Sequence, residues 1–119
     1  MDEQQFKDRT KMFALRVIRL VESLPKSRTA DVIGKQLLRS ATSVGANYRA
    51  TCRGKSTHDV IAKLSIVEEE ADESLYWMEL LVEVGLVSAS KLSALTKEGD
   101  EIVAMTVASI KTLRQRKSP

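Results

Sequence analysis

Acidic side chains are concentrated in one short run, Glu68–Glu73, with the sequence EEEADE. Carboxylates on bundle helices are the ligands of dinuclear metal centres, but those centres also need Glu-x-x-His motifs and acids from several helices. His58 is the only histidine, and it falls at the start of a predicted helix. The run is typical of a solvated, salt-bridged helix face, and we expect neither a metal nor a cofactor.

Nucleophilic catalysis would require a serine or cysteine beside a base. Cys52 and His58 lie close together along the chain, but no third group is in place to orient the histidine, and no loop suggests an oxyanion hole. The sequence also has no glycine-rich phosphate loop. We therefore expect a protein that is not an enzyme, with no catalytic residue and no small-molecule substrate.

A row of polar residues follows one helical face of residues 37–55. Arg39, Ser40, Ser43 and Asn47 recur at steps of three or four, on or beside the stripe that a helix normally buries. The row could be a catalytic surface, a nucleic-acid reader or a polar seam between helices. Residues 28–55 carry a net charge of +5 and residues 56–85 a net charge of −7. This complementarity favours a seam between the two segments.

The seam can be given a register. If the second and third helices fold back at Gly54, residues equidistant from that turn face each other. Ser40 then faces Glu68, a carboxylate on the predicted inner stripe that needs Ser40 or Arg39 as a partner. Ser43 similarly faces Ser65, and Arg39 faces Glu69. We expect an inter-helix polar network of Arg39, Ser40, Ser43, Asn47, Ser65, Glu68, Glu69 and Asp72.

Four segments place apolar residues at helical spacing, and no strand pattern competes with them. Pro25 ends the first segment, and Gly54 and Gly85 end the second and third. Gly99 interrupts the fourth and indicates a close approach of another helix or a weak point. Because the connections are short, residues 1–119 predict one all-α domain, an antiparallel up-down-up-down four-helix bundle.

The third segment has a second apolar row beside its inner stripe. One bundle cannot cover both faces of a helix, and an exposed apolar strip that contains a tryptophan usually contacts another chain. We therefore predict a homo-oligomer. The predicted interface residues are Ile66, Trp77, Leu80 and Val84.

Basic side chains not consumed by the acidic helix lie near the turn after the second segment and at the C-terminus. They could bind phosphates without reading sequence, although few aromatic residues are present to stack on bases. A solvated charged surface explains them equally well. Two alternatives stay open: binding of RNA or an RNA-bound protein, and a scaffold that engages a protein partner without nucleic acid. The candidate nucleic-acid-binding residues are Arg49, Arg53, Lys55, Arg114, Arg116 and Lys117.

Location is constrained by three simple features. Cys52 is the only cysteine, so no intramolecular disulfide can form. The N-terminus lacks the basic-then-apolar pattern of a signal peptide, and no apolar run approaches transmembrane length. We expect a cytoplasmic protein that does not contact a membrane.

Three stretches resemble the four-helix-bundle proteins encoded by intervening sequences of bacterial 23S ribosomal RNA genes. They are FxxRTxxFALxVIxLxxxLPK (6–26), QLLRSATSVGANYRA (36–50) and KLSIVEEEADESLYWMELL (63–81). The most specific parts are RSxxSxxxN and EADExxYW. The matching positions are Arg39, Ser40, Ser43, Asn47, Glu70, Asp72, Glu73, Tyr76 and Trp77.

The resemblance implies an antiparallel bundle that assembles as a homopentamer and has no known catalytic activity. The accessory proteins of diversity-generating retroelements are similar in fold and use a basic surface to bind nucleic acid and a reverse transcriptase. The resemblance therefore suggests RNA or a nucleoprotein as a partner. Members of the first family commonly place an acid near position 50, whereas this chain reads RATCRGK there, which favours nucleic-acid binding.

Overall fold

Four helices account for nearly the whole chain. The computed structural model describes residues 2–117, without the side chain of Lys117, and it contains α1 (Glu3–Glu22), α2 (Arg28–Thr51), α3 (Thr57–Glu83) and α4 (Ala89–Lys117). Residues 2–117 contain no strand. The prediction of an all-α fold is confirmed. Within the same range, no helix combines the length and apolar character that crossing a membrane requires.

Each helix begins after a polar side chain that accepts a hydrogen bond from a backbone N–H of the first turn. Asp2 forms a capping box with Gln5 at the start of α1. Ser27 and Ser56 cap α2 and α3 in the same manner. Ser88 Oγ accepts from the first turn of α4 at 3.2 Å. The helix boundaries are therefore written locally in the sequence.

The end of α3 has a similarly local cause. Gly85 has a φ of 82°, a conformation that residues with a Cβ rarely adopt. Its N–H donates to the carbonyl of Val82, and the N–H of Leu86 donates to the carbonyl of Leu81. This is the Schellman ending, which satisfies carbonyls that the helix leaves without partners.

Sequential helices pack side by side and antiparallel, and α1 closes the ring against α4 through the sparsest of the four contacts. Gly99 is buried where α4 meets α3, and a Cβ at this position would collide with Leu75. Gly45 similarly lies against Thr10 of α1. The up-down-up-down bundle is confirmed, and Gly99 marks a close approach.

The buried row of α3 differs from the predicted one. It comprises Leu64, Val67, Ala71, Ser74, Met78 and Leu81. Glu68 was placed on the inner stripe, but it is only half-buried and lies beside α4. That prediction is wrong, because a small rotation of α3 buries Val67 instead and avoids desolvating a carboxylate.

Candidate nucleic-acid interface

The register of the α2–α3 hairpin brings Ser40 opposite Ser74, with the hydroxyl oxygens 2.9 Å apart. Ser40 precedes the end of α2 by 11 residues, whereas Ser74 follows the start of α3 by 17. At 1.5 Å per residue, α3 therefore begins about 9 Å beyond the end of α2. The predicted pairing of Ser40 with Glu68 is wrong because the connecting loop advances along the bundle axis instead of crossing directly.

The last turns of α4 project in the same direction. Gly99 and its neighbour Leu75 are each 18 residues from the level where α4 ends and α3 begins. On the other side, Arg9 lies six residues after the start of α1, and its partner Glu101 lies 16 residues before the end of α4. Therefore α4 extends about 15 Å beyond α1. The start of α3 and the end of α4 project together from the bundle.

We call residues 49–63 and 109–117 the basic end. It holds eight of the 19 Lys and Arg residues and one of the 16 Asp and Glu residues, which gives a net charge of +7 there and −4 elsewhere. All the predicted nucleic-acid-binding residues belong to it, although the side chain of Lys117 lies outside the described residues. The fold thus gathers two basic segments that are far apart in sequence.

Asp59 fixes the loop that carries Arg53 and Lys55. Its carboxylate accepts from the backbone N–H of Lys55 at 3.1 Å and pairs with Lys63 Nζ at 2.7 Å. The hydrogen bond from Lys63, followed by that from the Lys55 N–H, lowers the pKa of Asp59. Gly54 packs so closely against α3 that a Cβ there would strike Val60. The loop is therefore held in one shape, with the Arg53 and Lys55 side chains exposed.

The candidate basic residues do not form one continuous patch. Arg116 lines a cleft with Cys52 and Gly54, so the end of α4 adjoins the α2–α3 loop. Arg114 lines a different groove, shared with Lys111 and Glu68. The structure therefore brings the two predicted clusters to the same end, with Arg116 closest to the loop.

Arg49 faces another direction. It lines a groove of about 510 Å³ between α1 and α2, together with Lys7, Lys11 and Asp8. The floor of this groove is Gly45, which packs on α1. Sequence reasoning missed the two α1 lysines, because a hydrophobic stripe gives no indication of which polar residues border the neighbouring helix.

Arg39 joins α2 to α3, as the sequence predicted, but with other acids. Its guanidinium lies 3.1 Å from Glu70 and also binds Glu73, not Glu69. Glu73 in turn accepts from Trp77 Nε1 at 3.0 Å. The pairing of Arg39 with Glu69 is wrong because of the register offset described above.

The other members of the predicted network do not bridge helices. Ser43, Asn47 and Ser65 each donate to a carbonyl of their own helix. Glu69 and Asp72 are exposed. Inward-facing hydroxyls need a partner, and the carbonyl four residues earlier is always within reach. The cross-helix polar contact of this interface is therefore confined to Arg39 and Ser40.

The predicted oligomer interface lies on the outer side of α3. Ile66 and Val84 are 42% and 55% exposed, whereas Trp77 and Leu80 are partly buried against the core. Tyr76 is also exposed and meets the Trp77 ring edge-on at 5.1 Å. The involvement of these residues in self-association stays a prediction.

Comparison with known proteins identifies the family. Residues 2–108 match the family described as 23S rRNA-intervening sequence protein. The chain belongs to this family. A search of curated proteins gives no significant match.

A solved structure agrees with this assignment. The intervening-sequence protein is 34% identical to a protein with unknown function from the S23 ribosomal protein family of Bacteroides thetaiotaomicron. The similarity covers 93% of this chain and 99% of that one, with a TM-score of 0.86. The fold is therefore that of an experimentally determined relative. The family match stops at residue 108, so the basic residues at the end of α4 lie beyond it.

One polar site of this intervening-sequence protein was not predicted. Arg9 of α1 binds Glu98 through two nitrogens, at 2.7 and 2.9 Å, and Glu101 at 2.6 Å. The hydrogen bond from Glu98 is the largest of the effects that raise the pKa of Arg9. Its partners are almost 90 residues away, and no local pattern couples them. The site ties α1 to α4, where the bundle is least tightly packed.

Cys52 is unsuited to nucleophilic chemistry. Burial raises the pKa of its thiol, and a hydrogen bond with Glu3 raises it further. The reactive thiolate is thus disfavoured. Residues 2–116 also contain no group of three or more His, Cys, Asp or Glu side chains placed to hold a metal ion.

Proposed function

We propose that this protein is a non-enzymatic, oligomeric bundle that binds RNA, alone or within a nucleoprotein, through its basic end in the cytoplasm. One observation carries the proposal: a net charge of +7 is concentrated on a projecting end, while the remaining residues sum to −4. Such a segregated field attracts a polyanion to one end of the molecule.

The family supports RNA as the polyanion. Its members are described as 23S rRNA-intervening sequence proteins, so the genes are associated with ribosomal RNA. Contacts from lysine and arginine to phosphates fix position without reading bases. The intervening-sequence protein would then recognise the form and charge of an RNA more than its sequence.

Self-association is the second part of the proposal. Ile66, Tyr76 and Val84 expose apolar surface on a single helix, and Trp77 adjoins them. Covering this face with a second copy removes it from water. Five copies, the number implied by the family resemblance, would present five basic ends. Several ends on one assembly raise the effective affinity for a long RNA.

The same apolar face supports a second candidate, a scaffold that engages a protein without nucleic acid. An exposed tyrosine beside a tryptophan is typical of protein contact sites. The two functions differ in which residues matter. Binding to RNA depends on Arg53 and Lys55, whereas protein capture depends on Trp77.

The test is fluorescence anisotropy with labelled fragments of 23S ribosomal RNA at about 50 and 200 mM salt. We expect binding at low salt that weakens steeply at high salt, and a large loss for Arg53→Glu with Lys55→Glu. Lys26→Glu with Lys91→Glu is the matched control, because both lysines are exposed at the opposite end. Absence of binding at low salt, or equal losses in both variants, contradicts the proposal.

A further inference from the structure

We infer that the basic end binds double-stranded RNA in preference to single-stranded RNA, an inference that rests on the proposed RNA-binding function. The sequence of this end supplies cations and hydroxyls but no Phe, Tyr or Trp. Proteins that hold single strands stack bases on aromatic side chains, and sequence-specific readers of RNA loops do the same. The basic end offers no such platform.

Aromatic residues elsewhere in the bundle do not supply one either. Tyr48 is the nearest, but its ring packs edge-on against Phe6 with centroids 4.6 Å apart, and burial raises the pKa of its hydroxyl. Tyr76 and Trp77 lie about 19 residues along α3 from its start, or about 29 Å away. A strand bound at the basic end would therefore meet charge and hydroxyls alone.

The shape of the basic end also suits a duplex. Two helices lie side by side there, which makes a surface about 20 Å wide. Such a surface cannot enter the deep, narrow major groove of A-form RNA, but it can lie across the wide, shallow minor groove and the phosphates that border it. The minor groove displays the 2′-hydroxyls.

Hydrogen-bonding groups for those hydroxyls are in place. Many helical hydroxyls in this bundle are used internally; Ser43 and Thr106, for example, donate to carbonyls of their own helices. At the basic end, Thr57, Thr112 and Gln115 are exposed and make no hydrogen bond among the described residues. Their side chains can pair with 2′-hydroxyls, which distinguish RNA from DNA.

The test compares three labelled ligands of the same sequence by anisotropy: a 20-base-pair RNA duplex, one of its strands, and the matching DNA duplex. The strand is chosen to lack self-pairing. We expect the RNA duplex to bind at least about tenfold more tightly than the strand, and more tightly than the DNA duplex. Equal or tighter binding of the strand overturns the inference, and equal binding of the DNA duplex overturns the preference for RNA.

Failure of the inference is distinguishable from failure of the proposed function. If no RNA binds at low salt, the proposed function fails; if the single strand binds best, that function stands and only the duplex preference is wrong. Thr57→Val with Thr112→Val should reduce the preference for RNA over DNA and leave the salt dependence unchanged. Thr29→Val, at the opposite end, should change neither. An unaltered preference in the double variant overturns the role of the hydroxyls.

Discussion

Ser40 of α2 and Ser74 of α3 bury their hydroxyls against each other, with the oxygens 2.9 Å apart in an otherwise apolar interface. Ser40 Oγ donates to the carbonyl of Leu37, and the carbonyl of Glu70 lies 2.9 Å from Ser74 Oγ. A slip of one residue would move either hydroxyl against apolar side chains without a partner across the interface. The pair therefore helps to fix the register that makes α3 project beyond α2.

We expect Ser40→Ala and Ser74→Ala each to lower the free energy of unfolding by about 1 kcal/mol, the usual contribution of a buried hydrogen bond. The double variant should lose less than the sum, by about 0.5 kcal/mol or more, because the first substitution already removes the shared bond. Urea denaturation at one fixed protomer concentration measures all four proteins. Strict additivity would show that the two hydroxyls act independently.

Arg9→Met should destabilise the protein by about 2 kcal/mol. It leaves Glu98 without its partner, and that carboxylate is only 19% exposed, so solvent compensates for part of the loss but not all of it. Lys7→Met is the control, since its pair with Glu3 is exposed and spans 3.8 Å; it should cost below about 0.5 kcal/mol. Chemical denaturation compares the two, and equal costs would contradict a structural role for Arg9.

Asp59 gives a prediction about pH. Its pKa is lower in the folded protein than in the unfolded chain, so its stabilising contribution is complete above the ordinary pKa of about 4 and disappears as the pH falls through the lower folded value. Asp59→Asn should therefore be less stable than the natural protein at pH 6, and this difference should shrink as the pH falls from about 5 to 2. Urea denaturation across that range measures it, and a constant difference would refute the assignment.

Much of the fold follows from local sequence signals. The caps Ser27, Ser56 and Gly85 depend on contacts within a few residues, so the pattern alone locates the helix ends. Apolar periodicity then indicates that four helices share one core. Both features are decided by interactions that the linear sequence displays.

The candidate site was only partly predictable for the same reason. The basic residues near Arg53 and Arg116 are visible in sequence, but their meeting depends on how far the α2–α3 loop advances along the bundle. Loop path is a tertiary property, and an error of six residues moved Ser40 from Ser74 to Glu68. The bond between Arg9 and Glu98 was missed because it depends on packing between the first and last helices.

Self-association through α3 can be tested without disturbing the core. Ile66→Lys with Val84→Lys places two charges on side chains that are 42% and 55% exposed, so the protomer should still fold. We expect a lower assembly mass by native mass spectrometry, because burying two lysines at an interface is costly. Val32→Lys is the control: this residue is 58% exposed on α2, outside the predicted interface. Unchanged mass in the double variant would mean that this face is not where the copies meet.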